Sequence, residues 1–168
     1  MRGSEEGVMI RRLMEKDAIY MLEWMKDPEI TKNFRVNFSE FSLKDAQSFI
    51  KNSFDEKNQH FAFVDDQDTY LGTVSLKNIS QLDKNAEYAI VTRKSAQGTG
   101  AAKRATEETL KYAFENLRLR KIYLNVLSEN DRARCFYKKM GFELEGHSRE
   151  HVCIDGIYCD LDWYARFY

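Results

Sequence analysis

Gly98 and Gly100 stand one residue apart in the stretch QGTGAAKRA, Gln97 to Ala105, of a chain with only eight glycines and one proline. Such a pair permits a tight turn and lets another backbone or a ligand come close. The residues that follow read as a long helix. The first amides of a helix have no intrahelical acceptor, and they carry the positive end of the helix dipole. The chemistry expected here is therefore anion binding, with phosphate the natural ligand. Two familiar phosphate loops do not fit. The Walker A pattern GxxxxGK[ST] is absent. In the dinucleotide fingerprint GxGxxG the third glycine would fall on Lys103.

Other reactive side chains give weaker patterns. Cys135, Cys153 and Cys159 show no CxxC spacing, so a disulfide framework is not expected. Cys135 lies beside Phe136 in a helix-like run and is expected to be a small buried side chain, not a nucleophile. The run HSREHVC holds His147, His151 and Cys153. His-x3-His suits a metal on a helix, but this run reads as strand and loop, so no metal is expected. His60, at the start of a strand, is expected to be structural.

The elements that must position these residues follow from periodicity. Val8–Leu13 reads as a strand. Lys16–Lys26 reads as a helix facing inward through Ile19, Leu22 and Met25, stopped by Asp27-Pro28. Residues 31–41 read as an irregular, aromatic-bearing loop. Ser42 caps a second helix with Leu43, Ala46, Phe49 and Ile50 on one face. Residues 60–64 and 70–76 form a hairpin around Asp65-Asp66-Gln67-Asp68. A strand over 86–92 leads into the glycine turn. The longest helix then runs from about Gly100 to Leu117, and 121–127 is strand. Asn130 caps a helix ended by Gly141. The last strand has a period of two from Ile157 to Tyr168. The order β-α-α-β-β-β-α-β-α-β-β predicts an α+β, or mixed α/β, layout with helices on a central sheet.

At 168 residues the chain is expected to be one domain spanning 8–168, with residues 1–7 a disordered leader or an expression remnant. A net charge of -1 argues against a nucleic-acid partner bound by bulk basicity. No apolar run is long enough for a membrane span, and the N-terminus lacks the apolar stretch of a signal peptide. A cytoplasmic location is expected.

Three blocks together resemble a known family. Gln97-Gly98-Thr99-Gly100-Ala101-Ala102 is similar to the [Q/R]-x-x-G-x-[G/A] loop of the GNAT acetyltransferases. Asn130 to Phe142 resembles their N-x-x-A-x-x-x-Y-x-x-x-G-F segment. Phe142 to Gly146 and Gly156-Ile157-Tyr158-Cys159-Asp160 resemble the F-x-x-E-G and G-x-Y-x-D passages of the ribosomal-protein and polyamine branch. The matches run from about Glu87 to the C-terminus.

The resemblance implies a mostly antiparallel, splayed sheet flanked by about four helices, and acetyl-CoA as cosubstrate. It implies that Gln97, Gly98, Thr99, Gly100, Ala101 and Ala102 hold the pyrophosphate. Ile90, Val91 and Thr92 would seat the pantetheine and polarise the thioester carbonyl, with Asn130 touching the same arm. Tyr137 matches the family's candidate acid for the leaving thiolate. Glu87 matches an acidic residue that some branches use as the base for the acceptor amine. The implied reaction is direct acetyl transfer in a ternary complex, with no metal. The acceptor stays open among a small amine or polyamine, an amino sugar on a nucleotide, and a protein N-terminus. A homodimer is a state common in the family. A rival is a non-catalytic module that binds acyl-CoA. Trp24, Phe34, Phe38 and Phe41 fall where the family builds its acceptor pocket.

Overall fold

A computed structural model describes residues 7–168. Residues 1–6, most of the expected leader, lie outside the described residues; Gly7 is placed, with its α-carbon face close to Asp66.

Seven strands form one sheet in the order β1-β2-β3-β4-β5-β7-β6. They are β1 (Met9–Arg12), β2 (Gln59–Val64), β3 (Tyr70–Ser80), β4 (Asn85–Thr92), β5 (Lys121–Leu127), β6 (Glu143–Ile154) and β7 (Ile157–Phe167). Every neighbouring pair is antiparallel except β4 and β5. A parallel pair needs a crossover, and the glycine turn with its helix supplies it.

Five α-helices accompany the strands: α1 (Ala18–Met25), α2 (Pro28–Thr31), α3 (Leu43–Lys51), α4 (Ala101–Lys111) and α5 (Asp131–Lys139). The extra helix relative to expectation is the single turn α2. Asp27-Pro28 ends α1 and also starts α2: the Asp27 carboxylate accepts from the Glu29 amide, and proline suits a first helical position. The helix expected as far as Leu117 changes character at Tyr112. A π-helical turn runs from Tyr112 to Asn116, and the Tyr112 hydroxyl donates to Gln59 Oε1.

The sheet buries both faces. Phe61, Phe63, Val74, Leu76, Ala86, Tyr88, Ile122 and Leu124 pack with Ala105 and Leu110 of α4 and Tyr137 of α5. Ala62 and Val64 pack on the opposite side with Met21, Trp24 and Ala46 of α1 and α3. Full burial of each large apolar side chain contributes about 1.5–3 kcal/mol. The face of α1 differs from expectation: Ala18, Met21, Trp24 and Met25 are buried, whereas Ile19 is exposed. Every α1 residue but Glu23 is apolar, so spacing alone cannot choose the face, and contact with Val64 and Tyr70 does. On α3 only Ala46 of the expected stripe is fully buried.

Candidate active site

The sheet opens between its two parallel strands. β4 pairs with β5 only at Asn85–Lys121, Ala86–Ile122 and Glu87–Tyr123. Beyond Glu87, β4 continues beside β3 as far as Thr92, while β5 continues beside β7 as far as Leu127. Tyr88 to Thr92 therefore turn one backbone edge toward a gap rather than a strand. Ile90, Val91 and Thr92, the residues expected to seat a pantetheine arm, all lie on this edge.

The glycine turn closes one end of that gap. After a short 3-10 turn over Lys94–Ala96, Gly98 has φ 73° and Gly100 has φ 86°, both in the left-handed region. Thr99 stiffens the loop: its hydroxyl donates to the Ala96 carbonyl at 2.6 Å and accepts from the Ala101 amide at 3.3 Å. The amides of Gly98, Thr99, Gly100, Ala102 and Lys103 find no backbone acceptor among the described residues. These donors gather where the dipole of α4 begins, a geometry that suits an anion. The Gln97 side chain turns back to the Thr92 carbonyl at 3.4 Å, tying the loop to the end of β4. Ala101 is buried in the core, so its small side chain serves helix packing. Ala102 is half-buried beside it.

Asn130 caps α5 as expected, its Oδ1 accepting from the Ala133 amide at 3.2 Å. Two turns beyond Asn130, Tyr137 reaches the inner end of the gap. Its ring stands perpendicular to Tyr88, with centroids 6.5 Å apart, and Phe142 packs against both rings. Burial pushes the Tyr137 hydroxyl up to about 12, so it is protonated at neutral pH. Tyr88 is held differently. The Thr106 hydroxyl already donates to the Ala102 carbonyl, so the Tyr88 hydroxyl must be the donor in its 2.8 Å bond to Thr106.

Glu87 occupies the last paired position of β4, on the sheet face opposite Tyr88 and Tyr137. It is not a free carboxylate. Oε1 accepts from Asn125 Nδ2 at 3.0 Å, and Oε2 pairs with Lys77 Nζ at 2.9 Å. Lys77 lies directly across the β3–β4 ladder, and Tyr123 lies directly across the β4–β5 pair. Burial and the Glu87 charge both raise the Tyr123 hydroxyl above its ordinary range. Lys77, Tyr123 and Asn125 thus surround Glu87, and none of them was singled out from the sequence. Their alternation along β3 and β5 could have found them once the register was known.

Cys135 is exposed, against expectation. Two residues along a helix is about 200° of rotation, which turns Cys135 away from the Ala133 and Tyr137 side. His147 joins a polar cluster. Its Nδ1 lies 2.7 Å from Asp162 Oδ1, and its Nε2 lies 3.1 Å from Asp160 Oδ2. The Ser128 hydroxyl donates to the same Asp162 oxygen at 2.7 Å. His151 packs instead against Trp163. Among the described residues, no group of three or more His, Cys, Asp or Glu side chains is arranged to hold a metal ion. Nor is any helix among them long and apolar enough to cross a membrane. His60 is structural in character: its Nδ1 lies 2.6 Å from the Ser75 hydroxyl, and Phe49 packs on its ring.

The family description that matches residues 8–143 is the acetyltransferase (GNAT) domain. The chain belongs to the GNAT acetyltransferase family. It is 36% identical over 113 residues to spermidine N(1)-acetyltransferase of Vibrio cholerae, a segment covering 67% of this chain and 65% of that enzyme. It is 28% identical over 155 residues to the Escherichia coli spermidine N(1)-acetyltransferase, covering 92% and 83% of the two chains. The crystal structure of the Vibrio cholerae enzyme with CoA and spermine superposes with a TM-score of 0.87 at 28% identity, over 96% of this chain and 95% of that one. The splayed α+β sheet expected from sequence is thus the GNAT fold, and the protein is an acetyl-CoA-dependent N-acetyltransferase.

Proposed function

We propose that this GNAT enzyme moves the acetyl group of acetyl-CoA to a small-molecule primary amine by direct attack within a ternary complex. The observation that carries the reading is the meeting of the free amides of Gly98, Thr99, Gly100, Ala102 and Lys103 with the unpaired edge of β4. An extended ligand bearing amides can pair with that edge while its pyrophosphate rests on the helix start.

In this reading Gln97, Gly98, Thr99, Gly100, Ala101 and Ala102 form the pyrophosphate loop. Ile90, Val91 and Thr92 seat the pantetheine arm, and a β4 amide polarises the thioester carbonyl. Asn130 fixes the start of α5 and so the place of Tyr137. Tyr137 gives its proton to the departing thiolate. On the other sheet face Glu87 takes the proton of the attacking amine, directly or through a water. The two groups act from opposite sides of the sheet, one on each side of the gap. The spermine complex of the Vibrio cholerae relative supports a small-molecule amine as the acceptor class. A cytoplasmic site of action agrees with three cysteines that are all free.

The test is release of CoA from acetyl-CoA in the presence of polyamines, amino sugars with their nucleotide forms, and N-terminal peptides, alongside thermal-shift binding of CoA. Acceptor-dependent release is expected for a small amine. Binding of CoA with no release for any amine would favour the non-catalytic module.

A further inference from the structure

We propose that Lys77 is a specificity-determining residue. It occupies the Glu87 carboxylate and so makes the site select amines with a single cationic end over polycations. This rests on the reading that Glu87 faces the acceptor.

Glu87 stands at the point where β4 and β5 part, on the sheet face away from Tyr137. An ammonium approaching the gap from that face meets this carboxylate first. Both of its oxygens are taken. Asn125 supplies a neutral donor, whereas Lys77 supplies a full positive charge at 2.9 Å. The Glu87 side chain is only 14% exposed and that of Lys77 is 38% exposed, so the pair is neither fully solvated nor sealed.

Tyr123 stands directly across from Glu87, and on β2 the face carries His60, which bonds Ser75. Burial, and then the charge of Lys77, push His60 down to about 4. It adds no charge at neutral pH. Within the Glu87–Lys77 pair one lysine cancels one glutamate, and the pair keeps no net negative charge to hold a chain of ammonium groups. A second cation on the acceptor would sit in the field of Lys77, and like charges brought together oppose binding. A monoamine can exchange with Lys77 at Glu87, or bind as the neutral form beside it, without bringing a further charge.

The test is titration calorimetry on CoA-loaded protein with two probes, spermidine and benzylamine. The proteins are the wild type, Lys77→Met, Lys77→Gln, Lys77→Arg and the double variant Lys77→Met/Glu87→Gln. Removing the lysine charge is expected to tighten spermidine by up to about fivefold, the upper end for one partly exposed ion pair. Benzylamine should gain less than spermidine, because it brings only one charge into the field of Lys77. Lys77→Arg should behave as the wild type, and the double variant should lose the gain. Circular dichroism checks that each variant is folded, and Lys77→Gln replaces Lys77→Met should the latter fail.

Equal spermidine affinity with and without the lysine charge, including no binding to either, would overturn the proposal. So would an equal gain for benzylamine, or a gain that survives loss of Glu87. Appearance of spermidine binding only in the charge-removed variants would support it. Because the readout is binding, it stands apart from turnover: absence of CoA release in the wild type counts against the acetyl-transfer reading and leaves the Lys77 comparison to be decided on its own data.

Discussion

Tyr88 and Tyr137 meet edge to face, centroids 6.5 Å apart, at the residue where β4 loses its β5 partner. Tyr88 spends its hydroxyl on Thr106, while none of the side-chain hydrogen bonds among the described residues involves the Tyr137 hydroxyl. One tyrosine is tied into the framework, and the other is the acid of the proposed reaction. Tyr137→Phe is expected to lower kcat by about 10²-fold, the usual worth of a positioned acid. The KM for acetyl-CoA and the melting temperature should barely move, because no internal hydrogen bond is lost. Steady-state kinetics and a thermal melt read both. With its hydroxyl at about 12, Tyr137 stays protonated through the working range, so a neutral-pH limb in the rate profile belongs to another group.

Two glycines should separate ligand binding from folding. At Gly98 an added Cβ meets no protein atom within 4 Å, so Gly98→Ala carries only the strain of φ 73°, about 1 kcal/mol. At Gly72 the same atom would lie 2.2 Å from the Val91 carbonyl oxygen and 2.4 Å from the Phe63 ring. Gly72→Ala must therefore push β3, β4 or Phe63 aside, at about 1–3 kcal/mol or more. Gly98→Ala should weaken CoA binding with a small change in melting temperature. Gly72→Ala should lower the melting temperature by several degrees. Thermal shift with and without CoA distinguishes the two, and equal CoA affinity in Gly98→Ala would count against the cradle.

Local chemistry made much of this legible in advance. The cradle needs only Gly98, Gly100 and a helix start, all within a few residues, and the Ser42 and Asn130 caps are equally local. Long-range register was not legible. Lys77 meets Glu87 across β3 and β4, but the ladder shifts between Lys77 and Ser80, so the turn hides the pairing from the sequence. The inward side of α1 was hidden for another reason: an almost wholly apolar helix takes its orientation from what packs on it. Cys135 is different, since its angle from Tyr137 on α5 already placed it outside the apolar side.

His60 should weaken the fold in acid. Burial and Lys77 hold it at about 4, below the ordinary 6.5 it regains when the chain unfolds. Between those values the unfolded chain binds a proton that the folded chain refuses, so stability rises with pH across this window. The contribution is complete above about 6.5 and is lost as pH falls toward 4. Urea unfolding at pH 4.5 and pH 7 should show a larger difference for the wild type than for His60→Gln. Identical differences in the two proteins would remove His60 from the acid response.

The polar latch around Asp162 should make stability depend on pH at the alkaline end. Asp162 and Asp160 each face one nitrogen of His147, an arrangement that suits the doubly protonated imidazolium, and the bond to Asp162 leads in raising His147 above its ordinary value. The same bond leads in holding Asp162 below the usual carboxylate range. The sign follows from both shifts. The His147 contribution is full below its ordinary 6.5 and fades as pH rises through its raised value, while the Asp162 contribution is full above the carboxylate range and fades in strong acid. Ser128 donates to Asp162, and Arg134 Nε of α5 stands 3.2 Å from the other Asp162 oxygen. The latch therefore holds the approach to the Asn130 cap. His147→Gln should reduce stability at pH 6, with the difference from wild type shrinking by pH 9. Asp162→Asn should weaken CoA binding by disturbing the Ser128–Asn130 loop, although Asp162 touches none of the cradle. Unfolding curves across pH and CoA titrations of the two variants check both halves, and a His147→Gln difference that does not change with pH would show the imidazole to be a spacer, not a charge.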